Sequence, residues 1–166
     1  MTEATVRTAF RHQAAACRSL GSPLTAAICD TLADHLHPDQ GPIAQQVLGW
    51  QGDPSSKADS VPLRLCGGLH ALVLTGLSPE LAKAYASQEI DSFLLIDTIQ
   101  NHRCFLHEWL RNPPQTNEVA RSAAIIAAAR FTQQIAPWPL RVLELGSSAG
   151  LNLNFHRYEI DIADKI

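Results

Sequence analysis

The chain has 166 residues, of which 46% are hydrophobic and 17% are charged. This composition is typical of a globular protein with a core and excludes a disordered chain. The 13 lysines and arginines are scattered, the formal net charge is -3 and the isoelectric point is about 6.1, so we expect no nucleic-acid partner.

The four cysteines lie far apart in the sequence and form no C-x-x-C pair. The ligand spacing of zinc and thioredoxin-type sites is therefore missing, and we predict no metal site but reduced, mostly buried thiols in a cytoplasmic protein. The N-terminus has no apolar run typical of a signal peptide. Residues 61–77 and 119–136 are apolar but contain charged residues, so we expect buried helices of a soluble protein and no membrane association.

The first 137 residues read as consecutive helices separated by glycine, proline and polar turns. The pattern predicts helices up to Gly21, from Ser22 to residues 37–38, over residues 43–50, from Ser60 to Gly76, from Ser78 to Tyr85, from Asp91 to Asn112, and from Thr116 or Asn117 to Pro137. The glycines at 67 and 68 predict a shallow helix face that lets a neighbouring helix approach closely. In the helix from Asp91, an inward stripe is expected from the following side chains: Leu95, Ile99, His102, Leu106 and Trp109.

Residues 140–145 form an apolar run after two prolines and predict a strand, and residues 158–162 alternate weakly and are a second candidate. We therefore predict a mainly α fold, with a helical domain over residues 1–137 and the first strand or strands of an incomplete Rossmann-like α/β unit over residues 138–166. A parallel strand needs a neighbour reached through a dozen or more residues, and a two-stranded sheet is marginal alone. Residues 140–166 are accordingly expected to be poorly ordered or used in self-association.

Residues 143–150 read LELGSSAG, an apolar run that leads into a turn of small residues. That pattern is typical of a nucleotide-type binding loop, in which the turn leads into a helix whose first amides hold an anion. The same residues spell G-x-S-x-G, the nucleophile elbow of α/β hydrolases, with Ser148 as the nucleophile. A hydrolase needs an acid and then a histidine further along, and only His156 follows, so we disfavour this alternative.

Two groups of polar residues are candidates for a site. The string after Pro114 contains Gln115, Asn117, Glu118 and Arg121. It is either a helix cap with a Glu118–Arg121 pair or a polar cluster that meets the glycine-rich turn, and both interpretations stay open.

The second group is Asp59, Arg64 and His70, which lie beside apolar residues. A buried arginine needs a partner, and Asp59 is the nearest acid in the sequence. We favour a structural ion pair and a hydrogen-bonded core histidine over a functional site.

Several strings of the chain are unusual, and together they resemble one family. They are VLGWQG at 47–52 with Asp53-Pro54, ADSVPLR at 58–64, LHALVLTG at 69–76, PPQTNEVARS at 113–122, and LELGSSAGLNLN at 143–154 with Arg157-Tyr158. Through them the chain resembles a bacterial family of uncharacterised proteins, known as domain of unknown function 2332. The resemblance implies a helical N-terminal region followed by a Rossmann-like domain similar to methyltransferases that use S-adenosylmethionine.

The resemblance also implies a set of cofactor-binding residues. Glu144 and Gly146 would end the first strand, and Gly146 and Gly150 would let the backbone pass close to S-adenosylmethionine. The helix after Gly150 would offer its amides to the methionine carboxylate, and Asp161 would take the ribose hydroxyls. Ser148 stands where the usual pattern has a third glycine.

Members of that family are longer, so we expect an incomplete cofactor site and a chain that is inactive alone. Two functions are open. The chain is either the N-terminal portion of a methyltransferase-like protein with a small-molecule cofactor, or a non-catalytic helical interaction module that retains a relic of the enzyme domain and self-associates through its C-terminal segment.

Overall fold

The structure, a computed structural model, describes residues 2–115 and 118–159. The chain divides into two compact units, Met1–Pro114 and Gln115–Ile166. The domain boundary predicted after residue 137 lies within the second of these units.

The first unit is a bundle of short α-helices. They are α1 (Glu3–Ser19), α2 (Pro23–His35), α3 (Pro42–Leu48), α4 (Val61–Leu74), α5 (Pro79–Ser87), α6 (Ser92–Asn101) and α7 (Arg103–Leu110), with a 3-10 turn at Pro38–Gln40. A proline occupies the first turn of α2, α3, α4 and α5, where its missing N–H removes no helical bond. Asp91 caps α6 as predicted, since its carboxylate accepts from the N–H of Leu94 at 2.9 Å.

Helix α4 lies in the core of the first unit, as its apolar composition predicted. It contributes nine buried residues from more than one face: Val61, Pro62, Arg64, Leu65, Cys66, Gly68, Leu69, Ala71 and Leu72. A Cβ added to Gly68 would come within 2.7 Å of Leu106 Cδ2 and 3.1 Å of Trp109 Cδ1. The close approach predicted for this glycine pair is therefore confirmed, and the neighbour is α7.

The prediction of one long helix from Asp91 is wrong in one respect. The segment forms two helices, α6 and α7, with a break at His102. That residue has φ -107° and ψ 26°, outside the helical range. Leu95, Ile99 and Leu106 are buried as expected, whereas Trp109 is 39% exposed. The break gives α7 its own direction, in which Leu106 and Trp109 reach the glycine face of α4.

The second unit contains a 3-10 turn at Val119–Arg121, α8 (Ser122–Ile135) and a 3-10 helix at Leu151–Arg157. Its described residues include no strand, so the strand predicted at 140–145 is wrong and the Rossmann-like part is not seen. A strand needs a paired neighbour, and no backbone N–H of residues 140–145 meets a backbone acceptor within the described ranges. Most of the second candidate strand, residues 158–162, lies outside those ranges.

Helix α8 is also more exposed than predicted. Only Ser122 and Ile126 are buried among its residues, so the expectation of a buried helix is wrong for residues 119–136. In residues 2–115 and 118–159, no single helix is long and apolar enough to cross a membrane. Helices α4 and α5 together have the length and composition of a membrane span, but the pair is bent by 106°.

Candidate functional site

The turn after residue 145 has an unusual backbone in the second unit. Gly146, Ser148 and Gly150 have φ angles of 68°, 51° and 70°, in the left-handed region. A Cβ on Gly146 or Gly150 would meet no atom within 4 Å. Glycine adopts this conformation at Gly146 and Gly150 without the steric cost that a side chain carries, and the space beside both residues is open.

The predicted helix after Gly150 takes a different form. Residues Leu151–Arg157 form a seven-residue 3-10 helix, not an α-helix. The expected α-helix is therefore wrong at this position, and an anion held by the first amides of the segment stays a prediction.

Ser148 joins this turn to the polar string of the same unit. Its Oγ donates a hydrogen bond of 2.7 Å to Oε1 of Gln115. Two strings that are far apart in the sequence, at 113–122 and 143–154, therefore meet. The hydroxyl is not bonded to His156, whose described hydrogen bond is with Arg157, so the arrangement of a nucleophile elbow is absent from the described residues.

A buried polar network lies behind the turn. Ser122 Oγ donates to Asn152 Oδ1 at 2.9 Å, and Asn152 Nδ2 donates to Glu144 Oε1 at 3.2 Å. Ser122 is 2% exposed and Asn152 is 5% exposed. The second carboxylate oxygen of Glu144, Oε2, is buried and has no hydrogen-bond partner in the described residues.

The sequence indicated Glu144 but missed Ser122 and Asn152. Both lie inside the strings that carry the family resemblance, yet no local pattern connects two residues 30 positions apart. A buried polar side chain reveals its partner only through tertiary structure.

Glu118 and Arg121, in the same polar string, make no described hydrogen bond to the turn at 146–150. Glu118 Oε1 accepts from the N–H of Ala120 at 2.9 Å and so caps the 3-10 turn. The predicted Glu118–Arg121 ion pair is not formed in the described part of the chain. Asn117 and Asp161 lie outside the described residues.

A cavity of about 590 Å³ opens in the second unit. It is lined by residues of α8, of the segment before Glu144 and of the segment around the last 3-10 helix: Ile126, Ala129, Arg130, Gln133, Leu140, Val142, Leu153, Phe155, His156 and Tyr158. Its volume lies within the range of about 300–1,000 Å³ typical of small-ligand sites.

The Asp59–Arg64 pair lies in the first unit, and the structural interpretation favoured for it agrees with the contacts. Arg64 is 8% exposed, and its Nη2 lies 3.7 Å from Oδ1 of Asp59. Its Nε donates to the carbonyl of Asp59 at 2.6 Å, and its Nη1 donates to the carbonyl of Leu110 at 3.0 Å. The Trp50 ring covers the guanidinium at 5.2 Å, and Trp50 Nε1 donates to Asp59 Oδ2 at 2.8 Å. The partners of this cation therefore lie within the first unit.

His70 does not belong to that network. It is exposed on α4, with its ring 5.5 Å from the ring of Tyr85, so the expectation of a core histidine is wrong. Within the described ranges, no group of three or more His, Cys, Asp or Glu side chains is placed to hold a metal ion.

Fold and site together define a helical protein, in its described residues, whose C-terminal unit carries a glycine-rich turn backed by a buried carboxylate network. The chain belongs to the family described as uncharacterized protein conserved in bacteria (DUF2332), whose model matches residues 7–165. Searches of the curated proteins and of the solved structures found no match.

Proposed function

We propose that the chain is a methyltransferase-like protein that binds S-adenosylmethionine at residues 144–150. When bound, this cofactor supplies an electrophilic methyl group. The observation that carries the proposal is the buried Oε2 of Glu144, just before the turn at 146–150, which has no hydrogen-bond partner in the described residues.

A buried carboxylate oxygen without a partner is costly, and native proteins leave few of them. Such an atom is explained when a ligand donates a hydrogen bond to it. S-adenosylmethionine has donors of this kind in its ammonium group and its ribose hydroxyls. The residues present fit that role, because Glu144 is held by Asn152 and no atom within 4 Å would oppose a group placed at the Cβ positions of Gly146 and Gly150.

The 590 Å³ cavity gives the proposal a second support. Leu140 and Val142 line it from the segment just before Glu144, and Leu153 lines it from the 3-10 helix that contains Asn152. A contact between Asp161 and the ribose stays a prediction, as do the incomplete cofactor site and the inactivity of the chain alone.

The test is calorimetric titration of the chain with S-adenosylmethionine and S-adenosylhomocysteine. We expect dissociation constants in the micromolar range, and no heat at millimolar ligand would overturn the proposal. Gly146→Ala places a Cβ beside the ligand and is expected to weaken binding. Gly76→Ala is the matched control, because Gly76 has φ 71° and equally open surroundings in the first unit.

A second candidate function, a non-catalytic interaction module that self-associates, is favoured by a separate observation. Large apolar side chains of the second unit are exposed over half or more of their surface: Phe131, Ile135, Trp138, Leu143 and Leu145. Exposed apolar patches of this kind often mark protein contacts. Sedimentation that shows a concentration-dependent mass, together with no cofactor binding, would favour this function. The double variant Leu143→Lys/Leu145→Lys should then be monomeric.

A further inference from the structure

The Glu144 carboxylate sets the orientation of the Asn152 side chain, and Ser122 completes its hydrogen bonding. A side-chain amide has a donor end and an acceptor end, and its two orientations are nearly isosteric. Because an ionised carboxylate only accepts, the amide nitrogen of Asn152 faces Glu144, and Oδ1 faces the Ser122 hydroxyl, which donates to it. Without that hydroxyl, Oδ1 of the buried Asn152 would lose its donor, and the amide would lose the bond that holds it to α8.

In this network, one oxygen of the Glu144 carboxylate accepts a hydrogen bond and the other accepts none from the described residues. Asn152 occupies Oε1 of Glu144, whereas Oε2 is buried without a partner in the described residues. Both supporting side chains are more than nine-tenths buried, so water competes poorly for their hydrogen bonds. The carboxylate is therefore fixed from behind in one orientation.

We infer that Ser122 and Asn152 are positioning residues, which hold the Glu144 carboxylate so that Oε2 accepts a hydrogen bond from a donor group of the bound ligand. The inference rests on the proposed function and adds α8 to the site through Ser122. Neither positioning residue needs to touch the ligand. Their effect on binding passes through Glu144.

The test measures ligand affinity by calorimetry in a double-mutant cycle that combines Ser122→Ala with Glu144→Gln. In the otherwise unchanged chain, Ser122→Ala should weaken S-adenosylhomocysteine binding about tenfold, the effect of one lost buried hydrogen bond. In the Glu144→Gln background the same change should cost little further affinity, because the carboxylate that it positions is gone. A merely structural role would give the same loss in both backgrounds.

Three variants control the cycle. Ser122→Thr keeps the hydroxyl and should restore binding, and Ser122→Cys is a near-isosteric alternative if the alanine variant fails to fold. Thr132→Ala removes an exposed hydroxyl from the same helix as Ser122, where it bonds only to the carbonyl of Ala128 in the described residues, so it should bind within about twofold of the unchanged chain.

The ligand's donor group is identified with 5′-methylthioadenosine, which keeps the ribose hydroxyls but lacks the ammonium. A Ser122→Ala loss seen with both compounds assigns the donor to the ribose, and a loss seen only with S-adenosylhomocysteine assigns it to the ammonium. If the unchanged chain binds neither compound, the proposed function fails and the inference falls with it. If it binds and Ser122→Ala behaves like Thr132→Ala, the inference alone is overturned.

Discussion

Nη1 of Arg64 donates a hydrogen bond of 3.0 Å to the main-chain carbonyl of Leu110, which lies 46 positions later in the chain. The last carbonyls of an α-helix lack helical partners, and a cation is favoured beside them. The bond therefore ties the first turn of α4 to the last residue of α7. It explains how a nearly buried cation is accommodated in the helical unit.

Replacing Arg64 with alanine should lower the free energy of unfolding by about 2–3 kcal/mol, because the Leu110 carbonyl and the Trp50 ring lose a buried partner. Urea unfolding followed by circular dichroism measures the effect. The matched control is Lys83→Ala, which removes an exposed ion pair with Glu80 and should cost under about 0.5 kcal/mol. Equal losses in the two variants would contradict the structural role of Arg64.

The two adjacent glycines of α4 should respond differently to alanine. A Cβ on Gly67 would meet Trp109 Nε1 at 3.5 Å, an ordinary contact, whereas one on Gly68 would press on Leu106 and Trp109. Both substitutions gain the same helix propensity, so the difference between them isolates packing. We expect Gly68→Ala to be less stable than Gly67→Ala by about 1–3 kcal/mol in urea unfolding. Identical unfolding free energies of the two variants would mean that Leu106 and Trp109 of α7 can shift to accommodate the added Cβ without destabilising the fold.

Glu144→Gln should separate binding from stability. The amide keeps an oxygen for Asn152 and removes a charge that has no ion-pair partner in the described residues. We expect unfolding free energy to be unchanged or up to about 1 kcal/mol higher, with at least about tenfold weaker cofactor binding. Glu159→Gln, on the surface of the same unit, should alter neither quantity. A parallel loss of stability and binding would instead assign Glu144 a purely structural role.

Alkaline pH should destabilise the helical unit through Cys66. The Sγ atoms of Cys66 and Cys29 lie 3.6 Å apart, and this hydrogen bond together with burial raises the pKa of the Cys66 thiol well above its ordinary value of 9.0. Above that pH the unfolded thiol ionises while the folded one stays neutral, so the contribution is complete below pH 9 and is lost as pH rises.

The check is urea unfolding at a series of pH values from 8 to about 10.5, with the unchanged chain, Cys66→Ala and Cys104→Ala. The decline in unfolding free energy should be shallower in Cys66→Ala. The exposed Cys104 serves as the control, and its variant should follow the unchanged chain. A decline of the same steepness in all three would show that other groups cause it.

Local signals predicted most of the helical unit, because they act within one turn of the chain. Pro23 and the cap at Asp91 placed helix starts, and the glycines of α4 predicted the close approach of a neighbour. The break at His102 was not predictable in this way, since no proline or glycine marks it. It depends on how α7 packs on α4, which is a long-range property.

The C-terminal unit shows the opposite case. Residues 140–145 have the composition of a strand, but composition cannot supply the neighbour that a strand requires. Likewise Glu144 was found through its motif, whereas Asn152 acquires its role only when the chain returns to Ser122. The motif therefore identified the residue just before the turn but not the two buried side chains that hydrogen-bond in series with it.

The three tryptophans are divided between the two units, so that tryptophan fluorescence can follow each unit. Trp50 lies beside Arg64 and Trp109 lies over the glycine face of α4, both in the first unit, whereas Trp138 is 74% exposed in the second. Their emission should differ accordingly, with Trp138 red-shifted and readily quenched by iodide. Chains that keep a single tryptophan would therefore report the melting of each unit separately.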